Sequence, residues 1–204
     1  AWRHEAGEAQ AHGAMFRPRE ADWLEARDLA ALSVRLSRFN ADYREGLARI
    51  HEARFMMSGL GAEEARTDRE KAVALYREAI ALRPSWPYTH AALAYALWRV
   101  AGPLPEVEAA LADAARLGPW EPQVMEAVID VGLDAWYVLS PSARQVVSDT
   151  ILRSQSWRAG SLGQRHADRA WAIIRTHRKQ ALACAVHPQR DERISSRCNP
   201  ATWE

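Results

Sequence analysis

Lysine is almost missing from this chain, since only Lys71 and Lys179 stand among its 27 basic residues. The skew toward arginine reads as GC-rich coding rather than function. Alternating Val, Ile and Thr are missing too, which argues against a sheet-based fold. Glycine and proline are scarce, at ten each. They fall in small groups between long Ala/Leu/Arg segments, and that leaves helices. A net charge of +1 gives no overall field to mark a nucleic-acid binder. No apolar run reaches membrane-spanning length. Phosphate loops, Gly-x-Ser-x-Gly and His-Glu-x-x-His are all absent. The seven histidines are scattered, so no metal, cofactor or catalytic set is expected. His166 and Asp168 point in different directions from one helix. Asp130 and Asp134, one helical turn apart, read as exposed helix surface rather than a glycosidase dyad.

What the chain does have is a spaced triplet in three copies. It reads Ala26–Ala30–Ser33, Ala72–Tyr76–Ala79 and Val107–Leu111–Ala114, with Leu36, Leu82 and Leu117 following at one fixed distance. Offsets of 46 and 35 residues separate the copies. A period near 35 with proline turns points to an all-α fold, a short tetratricopeptide-like α-solenoid of about nine helices with an irregular C-terminal tail. Spacing of four then three places each triplet on one helical face, where small residues admit a neighbour closely. The helix after each of the first two triplets, and the one after the third, supply Leu47–Ala48–His51, Leu93–Ala94–Leu97 and Val128–Ile129–Gly132. A fourth copy would be Ser142–Val146–Asp149, in which Asp149 breaks the packing face and makes a decayed cap.

The sequence divides into an N-terminal arm (1–18), a repeat domain (19–155), and a helical cap with basic tail (156–204). Expected helices run at about 20–37, 42–57, 67–82, 87–101, 105–117, 121–138, 141–155 and 164–178, followed by a short segment from Gln180. Ser58–Ala62 begins an insertion, and Thr67 with Glu70 forms a capping box opening the third helix. Trp23, Trp98, Trp136 and Trp171 are expected in the core. Trp86 and Trp120 sit in interhelical turns.

If the repeats stack, predictable positions face the concave side. These are Asp42, Glu45, Arg49 and Glu52; Tyr88, Tyr95, Trp98 and Arg99; and Glu126, Asp130 and Asp134. The set is acidic and aromatic, which suits basic peptides or sugars, although Tyr95 and Trp98 could equally pack between repeats. Residues 153–197 carry ten Lys/Arg against three Asp/Glu, a local +7 that leaves −6 elsewhere. Arg165, Arg169, Arg175, Arg178 and Lys179 could meet anionic lipid or an acidic partner, or form a solvated helix end. Cys184 and Cys198 are either two free thiols or a disulfide, and the unpackable Val186–Arg193 stretch between them favours the disulfide. The chain starts Ala-Trp-Arg, and the expectation is a removed signal peptide or membrane anchor upstream.

Asn40-Ala-Asp-Tyr43, Leu117-Gly-Pro-Trp-Glu-Pro122, Gly132-Leu-Asp-Ala-Trp136 and the Cys184/Cys198 pair resemble the tetratricopeptide-type accessory proteins of bacterial exopolysaccharide loci, the VpsP type. The resemblance runs from about Trp23 to Cys198. It implies an inner-membrane anchor, a periplasmic domain, and a non-catalytic role in polymer assembly or export. The partners would be proteins of a polysaccharide polymerase or export machinery, with the polysaccharide itself as an alternative ligand and no nucleic acid. A cytosolic peptide-binding adaptor is a third reading.

Overall fold

The structure, a computed structural model, describes residues 19–54, 62–155, 160–186 and 197–203. Among these the chain is all-α, with no strand. Its helices are α1 (Glu20–Leu36), α2 (Ala41–Ala53), α3 (Ala62–Leu82), α4 (Pro87–Arg99), α5 (Leu104–Leu117), α6 (Pro122–Asp134), α7 (Pro141–Gln155), α8 (Gly160–Thr176) and α9 (Gln180–Ala185), then a 3-10 turn, Pro200–Thr202. The 1–18 arm, most of the Ser58–Ala62 insertion and the 187–196 tail lie outside the described residues. The chain forms two compact units, Ala1–Pro84 and Ser85–Glu204. The boundary falls at the Pro84 turn, inside the stretch read as one repeat domain, and the C-terminal helices belong to the second unit.

In the first unit α1 packs on α2 and α2 on α3. Its centre is Trp23, which has no solvent exposure. The indole Nε1 donates to the Ile50 carbonyl at 2.7 Å, and the Arg54 guanidinium lies over the ring at 4.2 Å. His51 meets the same ring edge-on. A buried polar cluster adjoins it, because Asp68 takes His51 Nδ1 at 3.0 Å and Arg54 Nε at 3.2 Å. Burial lowers the pKa of His51, with Asp68 opposing that effect. Such a cluster holds together because each charge finds an opposite partner as it leaves water.

The expected capping box at Thr67 is not formed. Helix α3 already starts at Ala62, with Glu63 and Glu64 in its first turn, where carboxylates favour the positive helix end. Thr67 is therefore interior, and its hydroxyl donates back to the Glu63 carbonyl at 3.0 Å. Glu70 instead accepts from Arg66 at 2.9 Å.

In the second unit the helices lie in two rows. Helix α6 packs against both α4 and α8, while α5 and α7 pack on each other and on that row. The triplets supply contacts within each unit: Ala72, Tyr76 and Ala79 of α3 in the first, and Val107, Leu111 and Ala114 of α5 in the second, are all buried. Ala26, Ala30 and Ser33 are only half-buried. The fourth copy is displaced by one residue rather than decayed. Its buried set is Ala143, Val147 and Thr150, with the same four-then-three spacing. Asp149 lies off that face and accepts from Gln145 at 2.8 Å. Ser140 caps α7 through its hydroxyl, which accepts from the Ala143 amide at 3.3 Å. Glu108 of α5 holds Ser140 by its amide and its hydroxyl at 2.6 and 2.9 Å.

Cys184 and Cys198 form a disulfide. It joins α9 to the segment where Arg197 reaches Gln155, the Ala167 carbonyl and Asp168. Trp203 donates to the Arg197 carbonyl at 2.8 Å. The tail is thus fastened covalently and by one arginine spanning α7 and α8.

Two measurements check these assignments. Replacing both cysteines by serine should lower unfolding stability by ~3 kcal/mol, the loop-entropy value for a closure of this length, read by urea titration. Because the folded pKa of His51 lies below its ordinary 6.5, the unfolded chain binds a proton that the folded one resists. The His51 contribution is therefore complete above pH 6.5 and is lost as pH falls from there through the folded pKa. His51→Gln should flatten that part of the stability–pH curve.

Candidate functional site

A pocket of about 390 Å³ opens on the α4–α6–α8 row, lined by Tyr95, Trp98, Arg99, Asp130, Val131, Asp134, Thr176 and His177. On α4, Tyr95 and Arg99 stand four residues apart and hence on one face. The guanidinium lies 4.5 Å over the Tyr95 ring and donates to its hydroxyl at 2.5 Å. Trp98 donates its indole N–H to Asp134 Oδ2 at 2.6 Å across to α6. On α6, Asp130 and Asp134 are again four apart. Gly132 lies between them in sequence but on the opposite face, against α7.

His177 follows the end of α8 and joins both carboxylates. Its Nε2 lies 2.6 Å from Asp130 Oδ1, and its Nδ1 lies 4.0 Å from Asp134 Oδ1. Only a carboxylate oxygen faces Nε2, so that nitrogen carries the proton and donates. The imidazole is half-buried, whereas Asp130 and Asp134 keep 39% and 58% of their side-chain surface in solvent. These open oxygens can accept from a donor entering the pocket. The Thr176 hydroxyl is directed elsewhere, donating to the Ala172 carbonyl at 3.0 Å.

Both helix ends at the pocket stop in the same way. Among the described residues, Ala101 and Arg178 are the non-glycine residues with positive φ, at 51° and 54°. After α4, the Gly102 amide donates to Leu97 and the Ala101 amide to Trp98, at 2.9 and 3.2 Å. After α8, the Lys179 amide donates to Ile174 and the Arg178 amide to Arg175, at 3.0 and 2.9 Å. Each is a Schellman cap with its left-handed residue just past the pocket-lining pair. These caps turn the chain immediately after Trp98–Arg99 and Thr176–His177. A side chain with a Cβ pays a steric cost in that conformation.

Of the residues expected on a concave face, the structure brings Tyr95, Trp98, Arg99, Asp130 and Asp134 together. Trp98 is not a core residue, and Trp136 and Trp171 are also only half-buried. Glu126 lies on α6 but faces His166 Nδ1 at 3.9 Å, and its pKa is raised by burial, with Arg169 and His166 opposing. Tyr88 is tied by its hydroxyl to Glu121, a bond that raises its pKa, and it sits against the Trp86 ring.

Asp42, Glu45, Arg49 and Glu52 belong to the first unit and serve its packing. Asp42 pairs with Arg83 at 2.9 Å. Glu45 is buried between Arg49 and Arg83. Glu52 accepts from the fully buried Tyr76 hydroxyl at 2.6 Å. His177 and Thr176 were not singled out by the sequence. His177 stands 47 positions from Asp130, and no local pattern links helices that far apart.

No helix among the described residues is long and apolar enough to cross a membrane, and no cluster of metal-ligating side chains occurs among them. Compared with known protein families, curated proteins and solved structures, the chain matches none.

Replacing Arg178 by glycine should relieve the left-handed strain and raise stability by about 1 kcal/mol, while Arg178→Ala should leave it nearly unchanged. Thermal unfolding of the two variants checks this.

Proposed function

We propose that this protein is a non-catalytic accessory protein of bacterial exopolysaccharide assembly or export, working in the periplasm from a membrane tether and binding a protein of the polymerase or export machinery. The observation that carries the binding reading is the pocket on the α4–α6–α8 row. There two solvent-facing carboxylates, Asp130 and Asp134, stand beside the Trp98 ring. That combination accepts a lysine or arginine side chain of a partner segment: the carboxylates take its N–H donors and the indole face takes its charge. Arg99 is stacked on Tyr95 and bonded to its hydroxyl. The disulfide supports an oxidising compartment. The exopolysaccharide assignment rests on the resemblance of the Asn40–Tyr43, Leu117–Pro122 and Gly132–Trp136 segments.

A glycan-binding pocket is the second reading, favoured by the same aromatic and acidic lining. A photo-crosslinker placed at Thr176 in the native cell separates the two. The proposal expects adducts with an envelope protein of polymer assembly, lost when Asp130 and Asp134 are both changed to Asn. Adducts confined to cytosolic proteins contradict it. Retention on isolated polymer that Tyr95→Ala with Trp98→Ala abolishes would install the glycan reading in its place.

A further inference from the structure

The outward face of α1 carries an apolar seam that its own fold leaves uncovered. Helix α1 buries Trp23 against α2. On the other side Leu29, Leu32 and Leu36 remain 59%, 43% and 79% exposed. Their spacing of three and four residues is that of a two-helix seam, not of scattered surface leucines. A seam of this kind is closed by another helix of matching pattern.

The charges beside the seam identify that helix. Glu25 and Asp28 precede the leucines, and Arg35 and Arg38 follow the first two of them, all four exposed. The helix dipole accounts for Glu20 and Asp22 in the first turn and for Arg35 in the last, but not for Glu25 and Asp28, which lie between them. No other residue among the described ones pairs with Arg35 or Arg38. The contact of Asp28 is with its neighbour Arg27, an exposed pair of little energetic weight.

We propose that α1 pairs with the α1 of a second copy of this chain, antiparallel about a two-fold axis between Ala31 and Leu32. That axis sets Asp28 level with Arg35 of the second copy, a pair formed twice by symmetry. Leu29, Leu32 and Leu36 interleave between the charged rims. A parallel pairing would set the flank that carries Asp28 and Arg35 against the opposite flank of the second copy, so the Asp28–Arg35 pair forms only in the antiparallel one. One helix face is a small interface, and the dimer is accordingly a weak, concentration-dependent one.

Sedimentation equilibrium of the full chain tests this. The weight-average mass should climb toward twice the chain mass as concentration rises. Leu32→Glu with Leu36→Glu should hold it at one chain mass with unchanged circular dichroism, because both side chains already face solvent. Asp28→Arg should weaken association about tenfold or more by placing arginine against arginine. Asp28→Arg combined with Arg35→Asp on the same chain should restore it, since opposite charges then face each other again. A wild-type protein monomeric at every concentration would overturn the proposal, showing that the seam is covered within one chain or not at all. A dimer that survives the two glutamates, or a charge swap that fails to restore association, would overturn it equally.

Discussion

How closely α6 can approach α7 decides the arrangement of the second unit. At Gly132 a Cβ would sit 2.3 Å from Val147 Cγ2, far inside contact distance. No side chain larger than hydrogen fits without pushing the helices apart. Val147 is itself fully buried, so it has no free space into which to retreat. The contact fixes the rotation of α6 as well as its distance. With Gly132 turned to α7, residues two before and two after it must turn the other way. Asp130 and Asp134 thereby come to the α4–α8 side, where Trp98 and His177 meet them.

The pocket is an outcome of that packing combined with two helix ends. Helix α4 stops at a left-handed Ala101 and α8 at a left-handed Arg178. The residues just inside those stops, Trp98–Arg99 and Thr176–His177, line the pocket from either side of α6. Non-glycine residues held in that conformation mark places where the surrounding structure over-determines the backbone. The Trp98 N–H and the His177 Nε2–H each donate to an α6 carboxylate, so three helices are locked at one point while oxygens on both acids stay accessible.

Much of this was legible in the sequence because small-residue spacing is a local property. The triplets at Ala72 and Val107 and the stripes at Leu47, Leu93 and Val128 can each be read within two helical turns, and all are buried. The same rule found five of the eight pocket residues, since they fall on recurring positions of α4 and α6. It failed where register or distance mattered. A one-residue displacement made the fourth copy look broken at Asp149, although Ala143, Val147 and Thr150 preserve the pattern. Thr67 looked like a cap because the acidic turn that starts α3 upstream of it lay in what read as an insertion. His177 could not be found at all, since its meeting with Asp130 depends on how α8 docks. The acids Glu45 and Glu52 have the composition of a binding surface, but Arg83 and Tyr76 claim them from the neighbouring helix.

The central claim, that the α6–α7 approach at Gly132 sets the pocket, is tested most directly by the indole N–H resonance of Trp98 in Gly132→Ala. In the wild type that proton donates to Asp134 and should be shifted downfield and slow to exchange. The extra methyl should move α6, return the signal toward its free position and speed its exchange, with the chain still folded. An unchanged Trp98 resonance in a variant of wild-type stability would contradict the account.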